Sequence, residues 1–347
     1  MASAPKKLAL SILLPSLDPF CRRLPYRAAL SLFEEWTRGL EIALCLHRIG
    51  QSRRSSDPYP EQTIAPGTLD AFLDLVQSAR AGGKGPRRLT LTFDDGYLDA
   101  VKYVASRAPR YPHIDWVVLV CPEKLVTRAG FRWDLWESDP RSRRRSLGLA
   151  ELQTGISPML ENRRPELVGL GNLPEYRLAT VEECRSLLAN ENTWLGNHTN
   201  THLALAAVDA SIARLEIEGS TRLFESLFGE CLHFAFPFGV PERDFSRANV
   251  ETLRKVAPRA LLWSARQRPF RPCERFPGAV LPRVAAPGSW SEKTLAVWLA
   301  LLGRRELSRT EPPISHAEAS LGPRKATGLG SALHGTASRS RSNGHTR

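Results

Sequence analysis

Short apolar runs recur along this chain, and stretches with helical spacing of apolar residues lie between them. The runs fall at 42–46, 89–93, 115–121, 193–195, 233–236, 260–263 and 279–284. The helical patterns fall at 68–79, 98–106, 180–189, 208–227, 247–256 and 291–302. The runs are short and rich in β-branched and aromatic residues, so they read as strands buried on both faces. Strands alternating with helices imply a parallel sheet, because each parallel pairing needs a crossover. Seven or so units predict an α/β fold with a closed or nearly closed barrel. Reactive groups would then gather at the C-terminal strand ends. The polar residues that follow the runs are His47, Asp94 and Asp95, His198 and the segment after Phe236.

At 347 residues the chain can bury one large core. Residues 1–40 read as an N-terminal extension with a helix at 27–40, and 41–303 as the barrel domain. Residues 137–178 are polar, basic and proline-containing, an insertion that serves either as a lid or as a tolerated surface excursion. From 304 to 347 the composition turns to Ser, Gly, Arg, Pro and Thr, which predicts a disordered basic tail. No internal repeat is present.

Net charge is +12, and eight Lys/Arg against three Glu lie from Arg304 onward. A second basic group, Arg141, Arg143, Arg144 and Arg145, lies in the insertion. Such clusters are ordinarily solvated, and the alternative is a patch for anionic partners. No helix-turn-helix, zinc-finger or RNA-binding signature accompanies them, so no nucleic-acid partner is expected. The six cysteines are scattered without a CxxC pair, which suits buried free thiols and a reducing compartment. Lys6 and Lys7 precede a short apolar stretch at 8–14, but Pro15 follows and no small-x-small cleavage site appears. A cytoplasmic location is favoured, with a secreted or periplasmic one as the alternative. No apolar run reaches the roughly 18 residues of a membrane-spanning helix.

Two adjacent carboxylates, Asp94 and Asp95, end the second strand. Buried together they need compensation, and capping of the next helix is the competing role. His198 and His202 stand at i and i+4. On a helix they would share one face and reach one ion; otherwise they are ordinary core or surface histidines. With a carboxylate they make a facial set that leaves positions open for water and substrate.

Thr92-Phe93-Asp94-Asp95-Gly96, His198-Thr199-Asn200-Thr201-His202 and Phe236-Pro237-Phe238-Gly239 resemble, in order and spacing, the first three motifs of the polysaccharide deacetylases with a NodB homology domain. Leu44-Cys45-Leu46-His47-Arg48-Ile49 is similar to the opening strand of one branch. The resemblance spans roughly 42–290. It implies a distorted (β/α) barrel of about seven strands, Asp94 as general base, and Asp95, His198 and His202 as ligands of a divalent metal ion, usually zinc. It also implies an oxyanion contact from the Phe238 N–H on a turn fixed by Pro237. The implied activity is hydrolysis of N-linked acetyl groups on an N-acetylated glycan.

Two positions depart from the family pattern. Ala235 stands where many members carry an arginine that orients the base, and the C-terminal strand ending in histidine is replaced by Leu281-Pro282-Arg283-Val284. His47 is therefore a candidate for the acid or a supporting group, against a structural histidine. Arg283 either orients a carboxylate, binds substrate or forms a structural ion pair. Tyr97 is expected to line the pocket and Asp99 to sit in a helix first turn. Trp133 and Trp136 read as core or as a sugar platform. Deacylation of a small non-glycan amide, or glycan binding with impaired catalysis, are the competing functions. Oligomeric state is not readable.

Overall fold

The structure, a computed structural model, describes residues 17–50, 62–138, 153–154, 170–174 and 176–309. The apolar stretch at 8–14, the basic cluster at 141–145, most of the insertion and everything beyond 309 lie outside the described residues. The parallel sheet runs through β1 (Glu41–Leu46), β2 (Arg88–Phe93), β3 (Asp115–Val120), β4 (Thr193–Asn197), β5 (His233–Ala235), β6 (Leu261–Ser264), β7 (Val280–Pro282) and β8 (Val284–Ala285). The spatial order is β8-β1-β2-β3-β4-β5-β6-β7.

Only Arg283 separates β7 from β8. β7 pairs with β6, and β8 pairs with β1 through Leu44↔Val284 and Cys45↔Ala285. One bent pass therefore joins both edges of the sheet and closes the barrel. Seven passes make the eight segments, in keeping with the expected α/β barrel of about seven strands.

Alternation along the strands splits the apolar residues into two cores. Ala43, Val117, Leu119, Ala235, Trp263 and Leu281 pack together as one cluster that fills the barrel. Their neighbours Ile42, Leu44, Leu89, Leu91, Phe93, Trp116 and Val118 belong to the larger cluster beneath the helices. At the N-terminal end of β1, Glu41 takes the Arg275 guanidinium at 2.5 Å.

The outer layer comprises α1 (Tyr26–Thr37), α2 (Pro66–Ala81), α3 (Leu98–Arg107), α4 (Val181–Leu187), α5 (Ala210–Phe228), α6 (Arg247–Val256) and α7 (Glu292–Leu307). α2 starts on Pro66, where a missing N–H costs nothing, and buries Leu69, Phe72, Leu73 and Val76 at helical spacing. α4 begins with the capping box expected of Thr180 and Glu183. α7 continues past residue 302 because Leu302, Gly303 and Glu306 are buried, so 304–307 belong to a helix and not to the tail expected there. Glu306 is anchored by Arg268 at 3.4 Å.

α7 lies against α1, and Gly303 marks the crossing. A Cβ built on Gly303 would stand 2.0 Å from the Trp36 carbonyl oxygen. That contact is with backbone, which cannot rotate away. Gly303→Ala should therefore destabilise the fold by about 1–3 kcal/mol, the usual cost of overpacking. Equilibrium denaturation would measure it, and an unchanged midpoint would show that the helices are free to separate.

Candidate active site

The polar residues singled out at strand ends meet at one mouth of the barrel. The Leu46↔Phe93 register sets His47 level with Asp94, whose N–H donates to the Leu46 carbonyl at 2.8 Å. The His198 N–H donates to the Val120 carbonyl at 2.8 Å, which extends β4 toward the same place. A cavity of about 240 Å³ opens there, lined by His47, Asp94, Asp95, His198, His202 and Phe238 among others.

Asp94 and Asp95 diverge, as successive residues at a strand end must, and meet opposite environments. Asp94 is clamped by Arg283, with Nη1 to Oδ1 at 2.5 Å and Nη2 to Oδ2 at 3.0 Å. Burial alone would raise its carboxyl, but Arg283, His198 and His47 together hold it well below the usual carboxylate range. Arg283 is itself buried, and Thr92 takes a further Nη1 hydrogen at 2.9 Å. Position 235 is Ala, and the guanidinium on Asp94 comes instead from the residue between β7 and β8.

Asp95 has no such partner. Burial, with Asp94 and Asp134 nearby, pushes its carboxyl well above the ordinary value. Its Oδ1 is buried without a hydrogen bond, 3.4 Å from His202 Nε2 and 3.8 Å from His198 Nε2. His198 Nδ1 lies 2.9 Å from the Ala235 carbonyl, which can only accept, so the proton sits on Nδ1 and the Nε2 lone pair faces Asp95. Burial lowers both histidines, keeping them neutral.

These histidines do not converge on a helix face, as i, i+4 spacing suggested. Residues 198–202 form a loop in which Thr199 (φ 64) and His202 (φ 63) are left-handed. A β-branched residue there is costly, and local bonds hold it. The Thr199 N–H donates to Asn197 Oδ1 at 3.0 Å, and its Oγ1 accepts from the His202 N–H at 3.1 Å. Asn197 is fixed in turn by Ser220 on α5, and Glu216 on the same helix accepts both the N–H and the hydroxyl of Thr201. Arg132 donates to the His202 carbonyl at 3.1 Å. None of these supports was singled out in sequence, although Asn197 directly precedes His198.

Asp95 (φ 74) and Phe238 (φ 59) are left-handed too. The Gly239 N–H donates to the Pro237 carbonyl at 2.6 Å, making a tight γ-turn around Phe238, whose ring meets His202 edge-on at 5.0 Å. Trp133 closes the other side of His202 at 4.8 Å, stacks on Phe131 and lines the cavity. The Trp136 side chain lies outside the described residues. Tyr97 is not the pocket wall expected of it. Its ring is buried, and its hydroxyl donates to Asp134 and accepts from Trp133 Nε1 at 2.9 Å, so it braces the wall from behind. Asp99 does occupy the first turn of α3. His47, partly exposed in the cavity, is depressed to about 4 by burial and by Arg283, with Asp94 opposing.

A buried carboxylate oxygen without a hydrogen bond, beside the Nε2 atoms of two neutral imidazoles, is unfavourable unless a cation joins them. The Asp95, His198 and His202 donor set therefore fits a divalent ion.

No protein-family model matches the sequence, and no curated protein matches it either. Solved structures do. A deacetylase from Streptococcus pyogenes, solved in complex with acetate, superposes with a TM-score of 0.51 at 11% identity over 76% of this chain and 99% of its own. A de-N-acetylase from Aggregatibacter actinomycetemcomitans gives 0.51 at 12% identity over 75% of this chain and 99% of its own. The fold is that of the polysaccharide deacetylases. A Bacillus cereus polysaccharide deacetylase shares the same deacetylase fold at 0.50 and 14% identity, covering 76% of this chain and 69% of its own.

The Arg283–Asp94 clamp makes a stability prediction. Arg283→Met should cost about 3–5 kcal/mol, because it strands a buried carboxylate. Adding Asp94→Asn should recover much of that loss. A double-mutant cycle by denaturant unfolding measures the coupling, and additive costs would contradict a direct clamp.

Proposed function

We propose that the chain is a metal-dependent hydrolase that removes N-linked acetyl groups from an N-acetylated sugar or polysaccharide. The observation that carries this reading is the pairing of a clamped, ionised Asp94 with the Asp95–His198–His202 donor set. The likeness to deacetylase structures supports it.

Two imidazoles and a carboxylate suit zinc, and open positions remain for water and substrate. A divalent ion bound there supplies Lewis acidity, polarising the acetamide carbonyl and acidifying water. Asp94 Oδ2, 3.7 Å from His198 Nε2, faces the donor set and takes the proton of the attacking water. Arg283 keeps that carboxylate charged and aimed. The Phe238 N–H, presented by its γ-turn, donates to the oxygen on which charge develops. His47 has a ring nitrogen within 4.8 Å of an Asp94 oxygen, so it can receive that proton and pass it to the departing amine. A neutral, depressed imidazole releases a borrowed proton readily. Trp133 and Phe238 give the cavity an apolar wall on either side of His202. At about 240 Å³ the cavity suits one acetamido group, with the rest of the glycan across the mouth.

Impaired catalysis rests on Ala235 and on the missing C-terminal histidine, and the Arg283–Asp94 pair weakens the first of these grounds.

Purified protein should hold close to one divalent ion, and the double change His198→Ala with His202→Ala should remove it. Elemental analysis checks this, and unchanged metal content would sink the donor assignment. Asp94→Asn should keep the ion but lose about 10²–10⁴-fold in turnover. Acetate release from N-acetylhexosamine oligomers, with zinc, cobalt or nickel restored, is the assay. Silence across the whole panel would reject the deacetylase reading.

A further inference from the structure

A second set of ligand-type atoms stands beside the first. Cys45 Sγ, a ring nitrogen of His47 and a carboxylate oxygen of Asp94 lie within 4.8 Å of one another, and all three residues line the cavity. Strand geometry explains the grouping. Cys45 and His47 are two apart at the end of β1 and share its inner face, while the register with β2 brings Asp94 alongside. Cys45 Sγ lies 3.5 Å from Asp94 Oδ2, close to the spacing of neighbouring ligands around a tetrahedral ion.

We propose that Cys45, His47 and Asp94 form a second cation site, selective for thiophilic divalent ions such as zinc, cadmium or cobalt, whose occupation blocks the active site. One sulfur, one nitrogen and one oxygen ligand favour such ions over magnesium or calcium. Binding forms a metal–sulfur bond and releases the thiol proton to solvent. The site is weaker than the Asp95–His198–His202 set, because Arg283 and the first ion both repel the newcomer. Asp94 Oδ2 faces both sets, at 3.7 Å from His198 Nε2, so a second ion would sit beside the first and occupy the carboxylate assigned to proton transfer. The inhibitory consequence rests on the deacetylase reading, since it removes Asp94 and His47 from proton transfer. The binding claim does not.

Cobalt titration separates the two. The first set contains no sulfur, so a thiolate-to-cobalt charge-transfer band reports the second set alone. Full-length metal-free protein should bind about two cobalt ions, with the band rising only as the second enters. Cys45→Ser should lose the band and reduce binding to about one ion. His47→Ala should weaken it, and thermal unfolding of each variant checks that it is folded. The double change His198→Ala with His202→Ala should keep the band. Absence of the band in folded wild type, or its persistence in Cys45→Ser, overturns the site. Where acetate release is measurable, activity should rise with the first equivalent of zinc and fall with excess. Excess zinc should inhibit Cys45→Ser at least tenfold less effectively; equal inhibition would overturn the blocking role.

Discussion

The ion pair between Arg283 and Asp94 joins the architecture to the chemistry. Arg283 is the single residue between β7 and β8, where the last pass leaves one edge of the sheet and joins the other. Its side chain is carried into the barrel mouth by the bend that closes the barrel. A misplaced last strand would leave both sheet edges open and two buried charges unpaired, so closure and site assembly are one event. The arrangement is costly in desolvation and repaid only by geometry. The bidentate fork and the Thr92 contact provide it.

That pair also explains how two adjacent buried carboxylates coexist. Without compensation, neighbouring ionised groups in a dry pocket would force one to protonate. Here Arg283 neutralises Asp94, and Asp95 turns toward two neutral imidazoles that cannot neutralise it. Under the proposed function, that asymmetry suits Asp94 to proton transfer and Asp95 to cation binding.

The alternation of apolar runs and helices was legible because it is written in periodicity, and α6 at 247–256 and the Thr180 capping box were readable residue by residue. The resemblance singled out Asp94, Asp95, His198 and His202, and the fold brings them together. What escaped was whatever depends on long-range closure or unusual backbone. Arg283 is a sequence candidate for orienting a carboxylate, but its partner is not readable, because it lies 189 residues from Asp94 and no local pattern links them. The loop at 198–202 was read through helical spacing, yet its two left-handed residues make a shorter turn. Tyr97 follows the first motif directly, but its ring turns inward because Asp134 and Trp133 hold its hydroxyl. α7 overran its expected end because a glycine and a glutamate, poor sequence indicators of a core, are buried against α1 and Arg268.

Left-handed backbone at Asp95, Thr199, His202 and Phe238 gathers around one cavity. Each such residue costs on the order of 1–3 kcal/mol unless its surroundings impose it. Local contacts hold three of them: Asn197 accepts from the Thr199 N–H, Thr199 Oγ1 accepts from the His202 N–H while Arg132 donates to its carbonyl, and the Pro237 carbonyl accepts from Gly239 across Phe238. Strain held by several contacts does not relax when one ligand atom moves. A rigid donor set gains affinity because little ordering remains to be done when an ion binds. The same rigidity limits what the neighbouring Cys45–His47–Asp94 set can accept. Asp94 cannot swing away from Arg283 without leaving that guanidinium unpaired, so any ion held there must come to the carboxylate as it stands.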